Sequence, residues 1–308
     1  MRRSLANCFR PKYNVQESPR ISIVTPSFNQ GQFIEETLCS VLDQGYSQLE
    51  YLVLDGGSTD ASPGVLRRYG DRLAYWCSEP DGGQYDAINK GFARSTGQVM
   101  GWLNSDDKHT PWTLSIVGEI FATFPEIEWL TTQFPLRWDT PGRVVRCSRR
   151  DGFSRPAYMA GENLPTGAWY APGWLQQEST FWRRSLWERA GGKLDISWKI
   201  AADFELWLRF FQHAELYAID TPLAGFRQHG DQKTQHLKNE YQREAMEILR
   251  AAGGATPGYV QSSLRSAAAR LCPDFLRPLA ARFGLLHACK LCLRRRDESG
   301  WRIAAELH

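Results

Sequence analysis

The first 110 residues alternate short apolar segments with helical segments, and this alternation limits the possible folds more than any other feature. The β-branched run ISIVTP (21–26) is followed by a polar loop and then by a helical pattern from Phe33 to Leu42. A second apolar segment ends at Asp55, and two more flank the helical stretch QYDAINKGFARS. Strands that alternate with helices predict an α/β fold with a mainly parallel sheet and right-handed crossovers.

Composition narrows the class of protein and of partner. The chain has 308 residues, of which 42% are hydrophobic and 23% charged, which is typical of an ordered soluble globule with a sizeable core. The formal charge of only +3 argues against nucleic acid as a partner, because phosphate-binding proteins concentrate basic residues on one face. The start has basic residues but no following apolar run, and no 18-residue apolar stretch occurs. We therefore expect a cytoplasmic protein.

The seven cysteines are odd in number and scattered, which indicates reduced thiols rather than a disulfide framework. Cys289 and Cys292 form one CxxC pair, but no second pair or histidine couplet completes a zinc site. Two interpretations stay open for this pair: a metal or redox role, or two thiols on the face of a helix.

Polar residues follow each predicted strand at the point where the strand ends. Ser27 follows the first strand, Asp55 the second, Asp81 the third and Asp106 the fourth. Because the carboxyl ends of parallel strands meet at one edge of a sheet, these side chains are predicted to surround one ligand site. The alternative is that Asp, Asn and Gly are present as turn formers.

At these motifs the sequence resembles the family 2 glycosyltransferases, which have the GT-A fold. The matching stretches lie between residues 20 and 235, and they occur in the order found in the family. They are IVTPSFNQGQFIEETLCSVLDQ, LVLDGGSTD, DGGQYDAINKGFARSTGQVMGWLNSDD, QQESTFWRRSLWERAGG and ADFELWLRFF. The resemblance implies a GT-A (Rossmann-like), mainly parallel sheet flanked by helices, and it does not specify the sugar.

The resemblance also implies a donor nucleotide site, in which the Asp55 carboxylate accepts the imide N–H of uracil and the TPSFN loop contacts base and ribose. For Asp86 and Lys90 an alternative is a surface ion pair, because residues four apart share one helix face. The implied donor-site residues are Thr25, Pro26, Ser27, Asn29, Asp55, Asp81, Asp86, Lys90, Ser105 and Asp106.

The SDD sequence matches the DxD-type motif of the family and implies Mn²⁺ or Mg²⁺ as cofactor. A hard divalent cation stabilises the charge that a nucleoside diphosphate acquires on leaving, and carboxylates are its natural ligands. By resemblance Asp107 binds the metal and Asp106 faces the ribose, and successive residues of an extended strand point to opposite sides. His229 is a second metal candidate, while Arg227 and Lys233 are candidates for the diphosphate.

Asp203 matches the catalytic acidic residue of the family, the base that takes the proton of the acceptor hydroxyl in inverting members. It falls in the first turn of a predicted helix, where the helix dipole favours an ionised carboxylate, although the family's preceding Glu is Ala202 here. Its alternative role is to complement that dipole, and Glu205 is the reserve base candidate. Candidate acceptor or sugar contacts are Trp169, Tyr170, Trp174, Gln177, Glu178 and Glu205.

The domain organisation follows from where the family motifs begin and end. We predict an N-terminal extension (1–19), a GT-A domain (20–235) and a C-terminal basic helical region (236–308). Within the domain, the nucleotide-binding half would span 20–110 and the acceptor-binding half 111–235. Residues 265–296 contain eight Lys or Arg against one acid, so two interpretations remain open: helices on an anionic membrane surface at the inner face, or a packed subdomain with a solvated basic face.

The expected activity is transfer of a sugar from a nucleotide-sugar donor, UDP-linked by preference, to a hydroxyl of a glycan or lipid-linked glycan in cell-surface polysaccharide or lipopolysaccharide synthesis. Two alternatives are a sugar nucleotidyltransferase and a non-catalytic nucleotide-sugar or glycan binder. The first would require a basic residue in a glycine-rich N-terminal loop, and TPSFNQGQ has none.

Overall fold

Strands and helices alternate through the first 110 residues, as the sequence predicts. The computed structural model describes residues 18–150, 153–164, 173–230, 232–256, 258–294 and 300–307. The strands are β1 (Ile21–Ser27), β2 (Leu49–Asp55), β3 (Tyr75–Ser78), β4 (Val99–Trp102), β5 (Lys108–His109), β6 (Trp129–Thr132), β7 (Leu136–Trp138), β8 (Val144–Cys147), β9 (Phe181–Arg183), β10 (Leu216–Ile219), β11 (Ala224–Arg227), β12 (Ala288–Arg294) and β13 (Trp301–Leu307). The α-helices are α1 (Ile34–Leu42), α2 (Ser62–Tyr69), α3 (Gln84–Arg94), α4 (Thr113–Thr123), α5 (Arg155–Met159), α6 (Arg184–Arg189), α7 (Ala202–His213), α8 (Lys233–His236), α9 (Lys238–Ala251), α10 (Tyr259–Leu271) and α11 (Arg277–Arg282).

The main sheet has nine strands in the order β13-β12-β10-β6-β9-β4-β1-β2-β3. Strands β3, β2, β1 and β4 are parallel neighbours, and so are β6, β10 and β12. Strand β9 runs antiparallel between β4 and β6 and joins the two parallel groups. A second sheet, in the order β5-β11-β7-β8, contains the segments that follow several main-sheet strands. The predicted mainly parallel α/β architecture is therefore confirmed.

Helix α3 packs unusually close to the sheet because it carries a glycine where it crosses β1. A Cβ atom added at Gly91 would lie 2.5 Å from Val24 Cγ1 and 2.8 Å from Leu54 Cδ2, closer than carbon atoms can approach. Any larger residue at this position would push α3 away from the sheet. The loop before α3, which contains Asp81, is thereby held against the end of β2.

Four of the twelve tryptophans form the centre of the core on the α7 side of the sheet. Trp207 of α7 stacks on Trp102 and on Trp129, with ring centroids 5.8 Å apart in both pairs. Trp182 of β9 meets Trp207 edge to face at 5.7 Å. Aromatic pairs in these geometries stabilise by about 0.5–1.5 kcal/mol beyond their buried area. This cluster fixes α7, and with it Asp203, relative to the sheet.

The C-terminal basic helical region predicted for residues 236–308 is helical only in its first part. Helices α9, α10 and α11 are present, but residues after 287 form β12 and β13, which extend the main sheet beyond β10. Strand β12 has buried residues on both faces. A short apolar run of this kind can be either a buried strand or part of a buried helix, and its periodicity does not distinguish them.

Cys289 and Cys292 consequently lie on a strand rather than on a helix. Cys289 contributes to the hydrophobic core on one face of the sheet and Cys292 to the core on the other. Two thiols that point to opposite faces cannot bind one metal ion or form a disulfide with each other. Among the described residues, no helix is both long enough and apolar enough to cross a bilayer.

Candidate active site

Asp55 ends β2 and lies almost completely buried at the carboxyl end of that strand. Its Oδ2 accepts the backbone N–H of Ser58 at 2.9 Å and the hydroxyl of Ser78 at 2.7 Å, and its Oδ1 accepts the Ser58 hydroxyl at 2.5 Å. A carboxylate offers about four lone-pair positions, so three of them are in use and one remains.

The loop after β1 is tied to the same place through Asn29. Asn29 has a φ of 52°, a left-handed conformation that Asn tolerates better than most residues. Its Oδ1 accepts the N–H of Thr59 at 2.9 Å, and its own N–H donates to Ser58 Oγ at 2.7 Å. Ser27 is buried, and its hydroxyl has no partner among the described residues.

Three predicted donor-site residues, Thr25, Pro26 and Ser27, lie within β1 rather than in the loop. Pro26 and Thr25 are buried, and the Thr25 hydroxyl is 2.9 Å from Tyr51 Oη on the neighbouring strand. The prediction that the Thr25 side chain contacts the nucleotide is therefore wrong, because strand alternation turns it into the core.

On the other side of β2, Asp81 Oδ1 accepts the N–H of Gly83 at 2.7 Å and orders the loop before α3. Asp86 and Lys90 form the ion pair that their spacing suggested, with 2.8 Å between Asp86 Oδ2 and Lys90 Nζ. Both side chains are partly exposed at the rim.

Asp106 and Asp107 belong to a turn, which the Asp107 N–H closes on the Asn104 carbonyl at 3.1 Å, and their side chains have different partners. The sequence assigned the metal to Asp107 and the ribose to Asp106. Asp106 Oδ2 lies 3.0 Å from His229 Nε2, and Asp106 is the more accessible of the two. Asp107 is completely buried, and its Oδ1 accepts the backbone N–H of Arg227 at 2.8 Å. Burial, followed by the charges of Asp106 and Glu178, raises the pKa of Asp107 well above its ordinary value. His229 therefore pairs with Asp106, not with Asp107.

Arg227 cannot be the phosphate clamp that the sequence suggested, because its guanidinium is 1% exposed and fully engaged inside the protein. Its Nε donates to the carbonyl of Asp106 at 2.6 Å, and its Nη1 to the carbonyl of Thr140 at 2.8 Å. Its Nη2 pairs with Glu36 of α1, a residue that sequence reasoning missed. Arg227 thus holds the main chain of the DxD-type segment in place.

Ser105, another predicted donor-site residue, is also buried, and its carbonyl accepts the Thr37 hydroxyl at 2.9 Å. The same hydroxyl donates to the carbonyl of Asp107 at 2.7 Å. Helix α1 therefore fixes the turn that contains Ser105 and Asp107 in two ways. Thr37 binds its carbonyl groups directly, and Glu36 acts through Arg227.

Asp203 lies in the first turn of α7 with one carboxylate oxygen free of partners. Its Oδ2 is 3.4 Å from the Tyr241 hydroxyl, while Oδ1 has no hydrogen-bond partner among the described residues. Burial raises the pKa of Asp203 from 3.8 to about 7, against the opposing effect of backbone N–H groups in the turn and of Tyr241. A carboxylate with such a pKa is matched to proton transfer near neutral pH.

Helix α9 supplies residues to this region that sequence reasoning missed. The buried Glu244 accepts the N–H groups of Lys199, Ile200 and Ala201, each at 3.0 Å, and so fixes the start of α7. The sequence carried a signal: Glu244 falls on the apolar face of α9, at helical spacing from Tyr241 and Ile248. A charged residue on a buried face indicates a specific polar contact.

Glu178, in the segment before β9, is a further buried carboxyl group. Burial raises its pKa to about 8, Arg137 opposes this rise, and the charges of Asp106 and Asp203 add to it. Glu178 therefore lies near enough to Asp106 and to Asp203 for their charges to act on it. Its Oε1 and both polar atoms of the neighbouring Gln177 side chain have no partners among the described residues.

The remaining acceptor candidates differ in their surroundings. Trp174 has the Arg137 guanidinium 5.6 Å from the centre of its ring. Glu205 is bound by Arg209, 2.7 Å from Nη2, so its prediction as an acceptor contact or reserve base is wrong. Lys233 donates to the carbonyl of Lys199 at 3.0 Å and remains at the surface. Trp169 and Tyr170 lie outside the described residues.

The contact between Asp106 and His229 fits a divalent cation. Two ligands at right angles around an ion at about 2.1 Å are about 3 Å apart, and the two atoms are 3.0 Å apart here. Within the described part of the chain, no three His, Cys, Asp or Glu side chains are grouped to hold an ion by themselves. A cation bound here would thus take its other ligands from phosphate oxygens and water, as Mg²⁺ and Mn²⁺ do.

A mainly parallel sheet flanked by helices, with acidic side chains at the ends of its strands, has the architecture of the GT-A glycosyltransferases. Residues 22–133 match the model of Glycosyl transferase family 2. An uncharacterized glycosyltransferase of Mycobacterium tuberculosis (strain CDC 1551 / Oshkosh) is 32% identical over 199 residues, which cover 62% of this chain and 69% of that protein. The chain belongs to glycosyl transferase family 2 and is a transferase.

Other relatives agree with this assignment. A Bacillus subtilis glycosyltransferase named for teichuronic acid biosynthesis, TuaG, is 37% identical over 93 residues, covering 29% of this chain and 37% of TuaG. The fold matches S. aureus TarS in complex with UDP-GlcNAc, with a TM-score of 0.57, 16% identity, and coverage of 84% of this chain and 75% of that chain. It also matches glucosyl-3-phosphoglycerate synthase from Mycobacterium tuberculosis in complex with Mn²⁺, UDP and phosphoglyceric acid. The TM-score is 0.51 at 18% identity, and the match covers 82% of this chain and 86% of that chain.

Proposed function

We propose that the protein transfers a sugar from a UDP-sugar, with a divalent cation and with inversion at the anomeric carbon, to a hydroxyl of a glycan or lipid-linked glycan. The observation that carries this proposal is the Asp203 carboxylate, half-buried in the first turn of α7, with Oδ1 unpaired among the described residues and a pKa of about 7. The names of relatives favour UDP donors and cell-surface polysaccharides, since TarS was solved with UDP-GlcNAc and TuaG is named for teichuronic acid biosynthesis.

In the proposed reaction the acceptor oxygen forms a bond to the anomeric carbon while the bond from that carbon to the diphosphate oxygen breaks. Asp203 Oδ1 takes the proton of the acceptor hydroxyl as the new bond forms. The diphosphate leaves with the electron pair of the broken bond. Because the attack and the departure occur on opposite sides of the sugar, one displacement inverts the anomeric centre, and no covalent enzyme intermediate is needed.

The nucleotide-binding half (20–110) would bind the donor. The remaining acceptor position on Asp55 suits the imide N–H of uracil, and the loops of Asn29, Asp81 and Asp86 would surround the base and ribose. Asp106 and His229 would hold Mn²⁺ or Mg²⁺, which supplies positive charge to the leaving diphosphate. Lys233, which is exposed, would be the basic residue that binds the diphosphate, because Arg227 is buried and engaged elsewhere.

The acceptor-binding half (111–235) would position the acceptor hydroxyl near Asp203. The unpaired polar atoms of Glu178 and Gln177 are suited to sugar hydroxyls, and Trp174 offers an aromatic surface to the C–H side of a sugar ring. This arrangement supports a carbohydrate acceptor more strongly than an apolar one.

A donor screen tests the proposal. Nucleotide release is measured over a panel of UDP-, GDP-, CDP- and dTDP-sugars, with Mn²⁺, with Mg²⁺ and with EDTA. We expect release from one or a few UDP-sugars, stimulation by cation, and at least a hundredfold loss in Asp203→Asn with donor affinity retained. Cation-independent release, or a preferred purine nucleotide, would contradict the respective part of the proposal.

A further inference from the structure

Large hydrophobic side chains are exposed in one short part of the chain far more than elsewhere. Twelve large hydrophobic residues are exposed among the described residues, and seven of them fall between residues 260 and 283. Soluble proteins seldom concentrate apolar side chains in this way unless the surface binds something. These seven residues, called here the apolar strip, are Val260, Leu264, Leu271, Phe275, Leu276, Leu279 and Phe283.

On α10 the strip occupies one face. Val260, Leu264 and Leu271 lie within about 40° of one another around the helix axis, at 100° per residue. Arg265 points about 140° away from Val260 and binds inward, with Nη1 2.7 Å from Glu162 Oε1 and Nε 3.1 Å from the carbonyl of Gly284. Arg265 is thus an anchor that keeps the apolar face of α10 directed to solvent.

The strip continues through the turn before α11 and along that helix. Phe275, Leu279 and Phe283 are spaced four residues apart, and the two phenylalanines are 81% and 73% exposed. Arg277, on the same segment, donates from Nη2 to the carbonyl of Leu307 at 3.0 Å, at the end of β13. Both helices are therefore attached to the catalytic domain by buried-side arginines, while their hydrophobic side chains face outward.

The charge around the strip indicates what covers it. Residues 265–296 contain eight basic residues and one acid, Asp274, and two of the basic residues, Arg265 and Arg277, are the inward anchors described above. Arg282 stands next to Phe283 and is exposed, and Arg294 is exposed at the end of β12. Apolar side chains bordered by arginines suit an anionic lipid surface, into which the former insert while the latter meet the phosphate headgroups.

We propose that α10 and α11 dock the protein on an anionic membrane through the apolar strip, with Phe275 and Phe283 inserted between headgroups. No spanning helix is involved, and the docking does not depend on the transfer chemistry. Binding to vesicles can therefore be measured without donor or acceptor, so that failure of this proposal is distinct from failure of the proposed function.

The test is cosedimentation of the full chain with vesicles of phosphatidylglycerol and phosphatidylcholine, and with vesicles of phosphatidylcholine alone. We expect binding to the anionic vesicles only, and weaker binding as salt is raised. The variant Phe275→Ser/Phe283→Ser should lose about tenfold or more of its partition coefficient, because two aromatic side chains no longer enter the interface. Both positions are so exposed that folding should be unaffected, which urea denaturation checks.

The matched control is Val144→Ser/Val145→Ser, which removes two exposed hydrophobic side chains from β8. This control should bind anionic vesicles like the wild type. The proposal is overturned if the wild type fails to bind them, or if the phenylalanine variant binds as well as the control. It is also overturned if light scattering detects a concentration-dependent dimer that the phenylalanine variant abolishes, since a second copy would then cover the strip.

Discussion

Replacing Asp203 with asparagine should abolish catalysis and stabilise the fold, because the cleft holds this carboxyl in an environment that disfavours its charge. Burial raises the pKa of Asp203 from 3.8 to about 7. For an acid, a folded pKa above the unfolded one means that the native state binds the proton more tightly. The free energy of unfolding therefore falls as pH rises from about 4, and the loss is complete above about pH 7.

The size of this loss follows from the shift. A change from 3.8 to about 7 corresponds to about 4 kcal/mol at 1.36 kcal/mol per unit. Asp203 keeps partial access to solvent, and water screens part of this cost, so we expect about 2 kcal/mol. Asparagine has nearly the same shape and no charge to bury. Asp203→Asn should thus match the wild type near pH 4 and exceed it by about 2 kcal/mol at pH 8.

The rate of sugar transfer should depend on pH in the opposite direction to stability. In the wild type, kcat/KM for transfer should rise with pH up to about 7 and then level off, because the base must be ionised. The asparagine variant should retain a residual rate, lower by about 10²- to 10⁴-fold, without this rise. Its affinity for the UDP-sugar should be unchanged, since no donor contact is assigned to Asp203.

The assays are urea denaturation at pH 4, 6 and 8 and nucleotide release over the same range. Glu205→Gln is the control, because Glu205 lies in the same turn but pairs with Arg209 at 2.7 Å. It should keep most of the activity and lose about 0.5 kcal/mol of stability at each pH. An Asp203→Asn variant that is active, or that is no more stable than the wild type at pH 8, would refute the reasoning.

Three further substitutions test the donor side. Asp106→Asn removes half of the pair with His229, so the Mn²⁺ concentration for half-maximal activity should rise at least tenfold, measured against a wild-type titration. Arg227→Met should lower the free energy of unfolding by about 2–3 kcal/mol in urea, because the carbonyls of Asp106 and Thr140 lose their donors; unchanged stability with a raised donor KM would instead indicate a phosphate contact. Asp55→Asn should weaken UDP binding by about tenfold in calorimetry, and equal affinity would exclude Asp55 as the base contact.

Much of the fold could be predicted because it depends on local patterns. The segment ending at Asp55 has no interruption in its apolar run and is followed by two glycines, and it became β2 with its end at that residue. The last strand pair could not be predicted in this way. Strand β12 forms because it pairs with the edge of β10, for example Lys290 with Tyr217. The sequence of Ala288–Arg294 contains no information about that distant strand.

The candidate site, too, could be predicted only where it depends on local sequence patterns. Motif spacing predicted that Asp55, Asp81 and Asp106 would meet at one edge of the sheet, because parallel strands place their carboxyl ends together. Whether a polar side chain at that edge faces the cleft depends on its neighbours in space. Thr25 faces Tyr51, and Glu205 faces Arg209, so two good candidates became structural residues.

The order of Asp106 and Asp107 is the clearest case of this dependence. The sequence expectation of an extended chain predicts that the two side chains diverge, but it does not say which one enters the core. The chain turns here instead, with the Asp107 N–H bound to the Asn104 carbonyl. The choice is made by β11, whose Arg227 N–H binds Asp107 Oδ1 while its guanidinium binds the Asp106 carbonyl. Two residues later the same segment brings His229 to Asp106. The burial of Asp107 therefore also helps to set the position of the histidine, so a substitution at Asp107 should disturb the contact between Asp106 and His229.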